Sequence, residues 1–511
     1  MSEQYDVIVI GAGNGGLVAA ASAAKLGQKT LLLERHNLPG GAATSFVRGR
    51  FEFEPSLHEL ASYGPAEHPG GVRELFDWLN LDVKLDPVPD AYRIINTGKD
   101  GFDVSMPTGI PAFIQKLNAE APGNQDAINQ FFALATESTT VFQALFSDPT
   151  KLTPELLAEK YPNFVKYGHK PYQTVLNEIG LTPKAQEILM AYWCYIGIPG
   201  DEFEFAYFAA MVVSYVALAA YVPQHRSHEI SSALVKSLQD NGGTAWFNTE
   251  VTQLIVQDHA VVGVKTAHQT LYAKQVIADL HPNTVYSHLL QPDQVPQSEL
   301  KKANARKLGT SGFLVYLGMN QSAEQLGIHD YSTFIAHTWD SRKQYQNMQQ
   351  LNDNGFMIMN CLNIAEPNCS PKGTSILYAT QLFDDPSWNH VTPEDYPRLK
   401  DQLTEHIIAT YEAATGIKIR HAIEEIEVAT PATFARYLRG PQGEIYGYYG
   451  QPWDQMMARA LSLKSEDEPI PNLHFCGGTG FLMDGYSSAY QSGYMAAKLT
   501  TSKLNQEATV K

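Results

Sequence analysis

The hydrophobic pattern of the first 34 residues predicts a strand, a helix and a second strand. Residues 5–10 (YDVIVI) form a short apolar run rich in β-branched side chains, which is typical of a buried parallel strand. Residues 17–26 are rich in alanine and predict a helix, and Gly27 stands where helices commonly end. Residues 30–33 are apolar again, so the chain opens with the pattern of a strand–helix–strand unit.

Two later segments continue this pattern. Residues 242–279 alternate apolar and polar positions, which predicts a strand that returns to the first sheet and a small antiparallel flap beside it. Near the end of the chain, residues 473–476 are strand-like and a glycine-rich turn follows them. A helix is predicted from Gly485 and Tyr486 onward to residue 499.

One apolar run is long enough to need its own interpretation. Residues 205–222 (FAYFAAMVVSYVALAAYV) carry no charge over 18 positions, which is close to the roughly 20 residues of a membrane-spanning helix. The run is short, contains Ser214 and three tyrosines, and stands alone in the middle of the chain. These features favour a buried helix of a large core. A third interpretation, a helix that lines a pocket for a long apolar ligand, stays open.

Composition and charge narrow the class of protein. Hydrophobic residues are 44% and charged residues 18% of the 511 positions, as in a folded protein with more than one domain. The net charge of −17 argues against a nucleic-acid binder. The four cysteines form no CxxC pair, which favours a reducing compartment and predicts no metal site. The N-terminus has no basic region or cleavage signal, so we predict a cytoplasmic protein.

The turn between the first strand and helix carries a cofactor motif. Residues 11–16 (GAGNGG) contain G-x-G-x-x-G, and an acid follows 18 residues after the last glycine. Glycines there permit a tight turn and a close backbone approach to a pyrophosphate, and the helix N-terminus attracts phosphate. The acid can accept hydrogen bonds from both ribose hydroxyls. The pattern predicts dinucleotide binding, rather than a merely structural turn, by Gly11, Gly13, Asn14, Gly15, Gly16 and Glu34.

Residues 34–56 (ERHNLPGGAATSFVRGRFEFEPS) resemble the FAD-dependent phytoene desaturase, carotenoid isomerase and retinol saturase superfamily, which shares a flavin fold with amine oxidases. The resemblance recurs in order at residues 242–279, 427–449 and 471–499. It implies an FAD cofactor, with a second glycine pair near the pyrophosphate and the start of the last helix near the flavin ring. The residues it adds to the FAD-binding set are Arg35, Gly40, Gly41, Ala42, Val251, Gly477, Gly478, Asp484, Gly485, Tyr486 and Ser487.

Two departures from the family pattern bear on the substrate. Ala42 stands where the desaturase branch usually has arginine, so this site looks more like the isomerase and saturase branches. Residues 223–229 (PQHRSHE) replace a Gly-Gly element with polar groups. This replacement argues against a simple transfer of substrate from a known member.

Five residues are candidates for catalysis. His58 and Glu54 follow the FAD loop and are candidate proton donors, with a structural histidine as the alternative for His58. His225 and Arg226 stand together where a helix is predicted to begin. Arg226 is a candidate anchor for a carboxylate head group, and the alternative is that this segment is a solvated helix cap. Tyr446 belongs to an aromatic cluster with Tyr448 and Tyr449 that can line a channel or fill a core.

The sequence therefore predicts an α/β protein with a discontinuous Rossmann-type FAD domain, built from a parallel sheet plus an antiparallel flap. We assign residues 1–110, 223–310 and 426–511 to this domain, and residues 111–222 and 311–425 to a mainly helical or mixed substrate domain. The predicted activity is an FAD-dependent oxidation, reduction or redox-neutral isomerisation at C=C bonds of a long apolar molecule, such as a carotenoid, retinoid or unsaturated fatty-acyl compound. Peripheral contact with a membrane would supply such a substrate.

Two alternative functions stay open at the level of sequence. One is an amine oxidase-like flavoenzyme, because the flavin fold is shared. The other is a non-catalytic binding protein that keeps FAD as a structural group. The sequence does not indicate the direction of the reaction, the electron acceptor or the oligomeric state.

Overall fold

The computed structural model describes residues 4–99, 101–147, 153–351, 354–461, 468–480, 482–483 and 485–510. The strands in chain order are β1 (Gln4–Ile10), β2 (Thr30–Leu33), β3 (Phe46–Arg48), β4 (Phe51–Phe53), β5 (Leu85–Pro87), β6 (Asp90–Asn96), β7 (Phe102–Pro107), β8 (Tyr221–Pro223), β9 (Thr244–Trp246), β10 (Val251–Gln257), β11 (Ala260–Thr266), β12 (Thr270–Ala278), β13 (Ser311–Met319), β14 (Ser332–Ala336), β15 (Phe356–Cys361), β16 (Ser375–Phe383), β17 (Ile423–Ala429) and β18 (Leu473–Phe475).

Helices pack against both sheets. In chain order they are α1 (Asn14–Lys25), α2 (Gly71–Trp78), α3 (Ile110–Glu120), α4 (Gln125–Ser147), α5 (Pro154–Lys160), α6 (Pro162–Tyr167), α7 (Tyr172–Glu178), α8 (Pro183–Leu189), α9 (Phe205–Val216), α10 (Ser227–Asp240), α11 (Pro282–Thr284), α12 (Gln297–Ala305), α13 (Ala323–Leu326), α14 (Ser341–Asn347), α15 (Leu362–Ala365), α16 (Tyr396–Thr415), α17 (Pro431–Leu438), α18 (Met456–Leu461) and α19 (Tyr486–Val510). The first helix packs against the last, which brings the two ends of the chain together.

The first sheet has the predicted nucleotide-binding topology. Its order is β10-β11-β12-β1-β2-β9, and β18 pairs with β12. The strands β9, β2, β1, β12 and β18 run parallel, whereas β10, β11 and the start of β12 form the antiparallel flap. Strand β1 is buried along most of its length, as its unbroken apolar run predicts for a parallel strand. The α/β class and the parallel sheet with its flap are confirmed.

The second sheet is mixed and has the order β17-β13-β16-β15-β14-β6-β7. Only the pairing of β14 with β6 is parallel among these described strands. Strands β6 and β7 lie within residues 1–110, which the sequence assigned to the FAD domain, yet both hydrogen-bond into this sheet. Strand β17 spans the predicted boundary at residue 426, and its residues from 426 onward pair here too. The pairings thus differ from the predicted domain boundaries near residues 110 and 426, because β6 joins the second sheet only through a partner 240 positions later in the chain.

The apolar run at residues 205–222 divides into two elements. Helix α9 takes its first 12 residues, and the chain then turns at Ala219, which has a φ of 56°. The last residues form β8, which pairs antiparallel with β5. Phe205, Phe208 and Val212 are fully buried, so the favoured interpretation of a buried helix is confirmed. Across the described ranges, no helix combines the length and the apolar character that a membrane crossing requires.

Candidate active site

A cavity of about 2420 Å³ lies between the two sheets. We call one part of it the nucleotide end, because the predicted cofactor motifs line it: Gly11, Gly13, Asn14, Gly15, Glu34, Arg35, Gly40, Gly41, Ala42, Val251, Gly477, Gly478, Gly485, Tyr486 and Ser487. The other part, which we call the apolar end, is lined mainly by α4, α9 and the segment that precedes α9: Thr139, Phe142, Gln143, Tyr195, Ile196, Tyr207, Ala210, Met211, Val213, Ser214 and Leu218. Helix α9 is thus buried on one face and lines the cavity with another.

The glycine loop at the nucleotide end leaves no room for side chains. A Cβ atom on Gly16 would lie 2.0 Å from the carbonyl oxygen of Gly11, and one on Gly15 would lie 2.5 Å from the amide nitrogen of Gly477. The second contact joins the N-terminal motif to the C-terminal motif, although 462 positions separate them in the chain. The backbone at this point forms a close-fitting cradle, which is what a dinucleotide pyrophosphate requires.

Asp279 supports this loop and was missed in the sequence. Its Oδ2 accepts a hydrogen bond of 2.9 Å from the amide of Gly16, and a Cβ atom on Gly13 would lie 2.5 Å from the same oxygen. Burial raises the pKa of Asp279 to about 7. The residue directly follows β12, at the carboxyl edge of the sheet where open α/β folds bind ligands. Its position at the end of a predicted strand was the available signal.

Glu34 is held in place by two backbone amides. Its Oε2 accepts from the amide of Ala12 and its Oε1 from the amide of His36, both at 2.7 Å. Each carboxylate oxygen keeps a lone pair for a further donor, such as a ribose hydroxyl. Arg35, the next residue, donates to the carbonyls of Arg436 and Tyr437 near the C-terminal end of α17. Its side chain thus connects the end of the first sheet's β2 to that helix.

The two glycine loops and the last helix meet around Ala42. The amide of Gly40 donates to the carbonyl of Ala12 at 2.7 Å, which fixes the second loop on the first. The carbonyl of Ala42 accepts from the hydroxyls of Ser56 at 2.9 Å and Tyr486 at 3.1 Å. Ser487 Oγ donates to the carbonyl of Ala61 at 2.8 Å, so the N-terminal turn of α19 is anchored to the loop that leads toward the apolar end. Asp484 lies outside the described residues.

Segment 55–58 connects the two ends of the cavity and is held by three tyrosines of the second sheet. Tyr316 on β13 donates to the carbonyl of Pro55 at 2.5 Å, and Tyr378 on β16 donates to Leu57 at 2.6 Å. Tyr331, directly before β14, donates to the carbonyl of His58 at 2.5 Å. The segment therefore presents its side chains to the cavity from a fixed backbone.

His58 is an uncharged group in the cavity wall. Its Nε2 lies 2.7 Å from Thr380 Oγ1, and its ring stacks on Tyr378 with 5.4 Å between ring centroids. Burial lowers the pKa of His58 to about 4, so its imidazole is neutral at neutral pH.

Glu59, the next residue, was also missed in the sequence, although it adjoins a predicted candidate. It lines the cavity and only 4% of it is exposed. Tyr195 donates to its Oε1 at 3.1 Å. Burial raises the pKa of Glu59 to about 8, so the group is a protonated carboxylic acid at neutral pH.

Comparison with known proteins agrees with this geometry. A family profile described as FAD dependent oxidoreductase matches residues 6–66, which span both glycine loops and segment 55–58. All-trans-retinol 13,14-reductase of Danio rerio is 25% identical, with 95% of this chain and 84% of that protein aligned. The chain is an FAD-dependent enzyme.

Two further relatives place the flavoenzyme more closely. Prolycopene isomerase of Daucus carota is 24% identical, with 99% of this chain and 81% of that protein covered. The 4,4'-diapophytoene desaturase of a Methylomonas species is 23% identical, over 98% of this chain and 96% of that protein. Over most of its length the chain is thus similar to a retinol reductase, a prolycopene isomerase and a diapophytoene desaturase.

Solved structures show the same fold at lower identity. An oxidoreductase from Methanosarcina mazei has a TM-score of 0.62 and 14% identity, and covers 97% of this chain and 100% of its own. Putrescine oxidase with bound putrescine has a TM-score of 0.63 and 14% identity, with 99% of this chain and 100% of its own covered. The amine oxidase-like flavin fold predicted for the flavoenzyme is confirmed.

The structure separates the five catalytic candidates of the flavoenzyme into two groups. His58 and Tyr446 line the cavity, whereas Glu54, His225 and Arg226 do not. Tyr448 and Tyr449, the neighbours of Tyr446 in the aromatic cluster, are buried away from the cavity and donate to Asn283 and Glu202. Of that cluster, the channel interpretation has geometric support at Tyr446 alone.

Glu54 and Arg226 are buried outside the cavity, where their side chains hydrogen-bond to backbone groups of the flavoenzyme. Glu54 accepts from the amide of Ser227 at 2.8 Å and from its hydroxyl at 2.5 Å, so it satisfies the N-terminal turn of α10. Arg226 donates to the carbonyls of Glu52, Gln224 and Cys369. Because its guanidinium donates to these carbonyls and lies outside the cavity lining, Arg226 has no geometric support as a carboxylate anchor. His225 is exposed.

Proposed function

We propose that this FAD-dependent enzyme acts on a C=C bond of a long apolar molecule. The observation that carries the proposal is the single cavity that joins the FAD motifs to an apolar end along α9. At about 2420 Å³ it exceeds the roughly 300–1,000 Å³ of an ordinary ligand pocket, so a dinucleotide and a second long ligand have room together.

The FAD-binding set is part of the proposal. The loops at Gly11–Gly16 and Gly40–Ala42 would hold the pyrophosphate, Glu34 the ribose hydroxyls and Val251 the adenine side. The start of α19, with Gly485, Tyr486 and Ser487, would face the flavin, beside Gly477 and Gly478. FAD bound there would accept or donate hydride. Support comes from the close contact between the two motifs at Gly15 and Gly477.

The domain division proposed here follows the sheets. Residues that build the first sheet and its helices form the FAD part, and those that build the second sheet with α3–α9 form the substrate part. Compared with the sequence-based division, the first boundary moves to about residue 88, before β6. The C-terminal boundary moves to about residue 430, after β17.

The named relatives and the lining of the apolar end both favour a polyene-like substrate. The three relatives are named for retinol, prolycopene and diapophytoene. Phe142, Met211 and Leu218 line the apolar end here.

We also propose that such a substrate is collected by peripheral contact with a membrane. The net charge of −17 opposes anionic lipid, so neutral phosphatidylcholine vesicles should bind at least as well as anionic ones in a flotation assay.

A flavoenzyme that oxidises amines is the second candidate, favoured by the putrescine oxidase fold. At 14% identity that likeness concerns the fold alone. The polar pair at the apolar end, His58 and Glu59, is neutral at neutral pH, so it provides no carboxylate for an ammonium group.

One anaerobic experiment separates these functions. The purified holoenzyme, with its flavin either oxidised or first reduced by dithionite, is mixed without oxygen with a polyene, an unsaturated fatty acyl compound or an amine, and the visible flavin absorbance and the products are recorded. We expect a changed polyene: bleaching of the oxidised flavin for desaturation, reoxidation of the reduced flavin for saturation, or an isomer with no net change in the flavin. Bleaching by an amine and by no polyene would contradict the proposal, and recovery of every compound unchanged with both flavin states would support a binding protein instead.

A further inference from the structure

Glu59 is a buried polar group with an unused atom at the apolar end. Its Oε1 accepts from Tyr195, whereas Oε2 is buried and has no hydrogen-bond partner among the described residues. A buried polar atom without a partner is uncommon in folded proteins and needs a physical reason. Because Glu59 lines the cavity, a ligand that displaces the groups covering Oε2 can supply the missing partner.

The surroundings of Glu59 are polar but uncharged. Burial raises the pKa of Glu59 and the Tyr195 hydroxyl lowers it, and no cation among the residues that the structure describes acts on it. With Oε1 occupied as an acceptor, the carboxyl proton sits on Oε2 and makes this atom a donor. The neighbouring pair of His58 Nε2 and Thr380 Oγ1 also lines the cavity and adds a second neutral hydrogen-bonding group.

We propose that Glu59, with His58 and Thr380, forms a subsite for an uncharged oxygen function, a hydroxyl or a carbonyl, carried by the apolar substrate. Such an oxygen would accept from Glu59 Oε2 and satisfy it. A pure hydrocarbon would leave the donor unpaired, and a carboxylate would enter a region without a counter-charge. This inference rests on the proposed function, which it narrows from apolar molecules in general to oxygenated ones.

The test compares three ligands that differ only at one end. All-trans-retinol, all-trans-retinoic acid and the matching methyl-terminated hydrocarbon are titrated into the oxidised holoenzyme at fixed detergent concentration, with tryptophan fluorescence as the readout of binding. We expect the alcohol to bind about 10-fold more tightly than the hydrocarbon, which corresponds to about 1.4 kcal/mol. The acid should bind more weakly than the alcohol.

Two variants at Glu59 and one control decide the assignment. Glu59→Leu should reduce the preference for the alcohol to less than about 2-fold. Glu59→Gln keeps a donor and should retain the preference. Glu204→Gln is the matched control, because Glu204 is equally buried at 4% exposure but does not line the cavity. It should behave as the wild-type protein does.

Equal affinity for alcohol and hydrocarbon, or tightest binding of the acid, would overturn the subsite. A preference that survives in Glu59→Leu would overturn it as well, and so would the absence of binding by all three ligands. Since binding is measured without turnover, the proposed function can fail separately. In that case the alcohol is preferred, the preference depends on Glu59, and neither a redox change nor an isomer follows.

Discussion

The nucleotide end and the apolar end of the cavity are built in different ways. At the nucleotide end the backbone shapes the cavity: a Cβ atom on Gly15 would meet Gly477, and a Cβ atom on Gly477 would meet the carboxylate of Asp279. At the apolar end the lining consists of side chains from α4, α9 and the segment before α9, and one polar atom beside them, Glu59 Oε2, has no hydrogen-bond partner among the described residues. The nucleotide end therefore fits one ligand, because its shape depends on the backbone. At the apolar end, substitution of a single side chain can change which ligand binds.

The largest expected effect is the pH dependence of folding stability that Glu59 causes at the apolar end. The pKa of Glu59 is raised from 4.5 to about 8 in the folded protein, so its contribution to stability is present below pH 4.5 and is lost as pH rises through about 8. Between pH 5 and pH 9 the wild-type protein should therefore lose about 4 kcal/mol more stability than Glu59→Gln. Urea unfolding of the holoprotein measures this difference. Exposed Glu159→Gln should follow the wild-type protein, and parallel pH curves for Glu59→Gln and wild type would refute the buried acid.

The next effect tests the nucleotide end. In Gly15→Ala the new Cβ would lie 2.5 Å from the amide nitrogen of Gly477, so the two motifs must move apart. Overpacking of this kind costs about 1–3 kcal/mol, and FAD affinity should fall about 10- to 100-fold. The flavin absorbance per protein after dialysis reports the loss. Gly242→Ala, whose Cβ meets nothing within 4 Å but whose φ of 81° strains an alanine, controls for a loss of stability away from the glycine cradle and should keep its FAD.

Arg226→Ala should affect stability and leave ligand preference unchanged. Its guanidinium donates to three backbone carbonyls, which would lose their partner in a buried region. We expect a loss of about 2 kcal/mol in unfolding free energy. The ratio of affinities for the alcohol and the acid should stay as in the wild-type protein. A selective loss of acid binding would restore Arg226 as a head-group anchor.

The smallest effect is expected for His225→Ala. His225 is exposed and lies outside the cavity wall, so unfolding free energy should change by less than about 0.5 kcal/mol. Turnover of the substrate should be unchanged when it is measured beside wild type at the same FAD content. A loss of turnover greater than about 10-fold would show that His225 takes part in the reaction.

The contrast between the two ends also explains what the sequence could predict. Each glycine turn forms within a local strand–turn–helix unit, so the motifs predict the turns themselves. Their meeting is not local, since Tyr486 and Ser487 bond to Ala42 and Ala61, 444 and 426 positions away. Glu54, Arg226 and Glu59 are all polar residues near one loop, and their roles depend on partners far away in the chain. Ser227 satisfies Glu54, while Tyr195 leaves one oxygen of Glu59 unused. Sheet membership of β6 was hidden for the same reason, since its partner is β14.

The three tyrosine hydroxyls on segment 55–58 have a mechanical consequence. They bond to the carbonyls of Pro55, Leu57 and His58, while Ser56 in the same segment bonds to Ala42 of the glycine loop. A hinge motion that separated the two sheets would have to break the bonds on one side of this segment, either those of the three tyrosines or that of Ser56. Because the segment resists such a motion, we expect a long molecule to enter and leave lengthwise, at a rate that depends on ligand girth more than on ligand length.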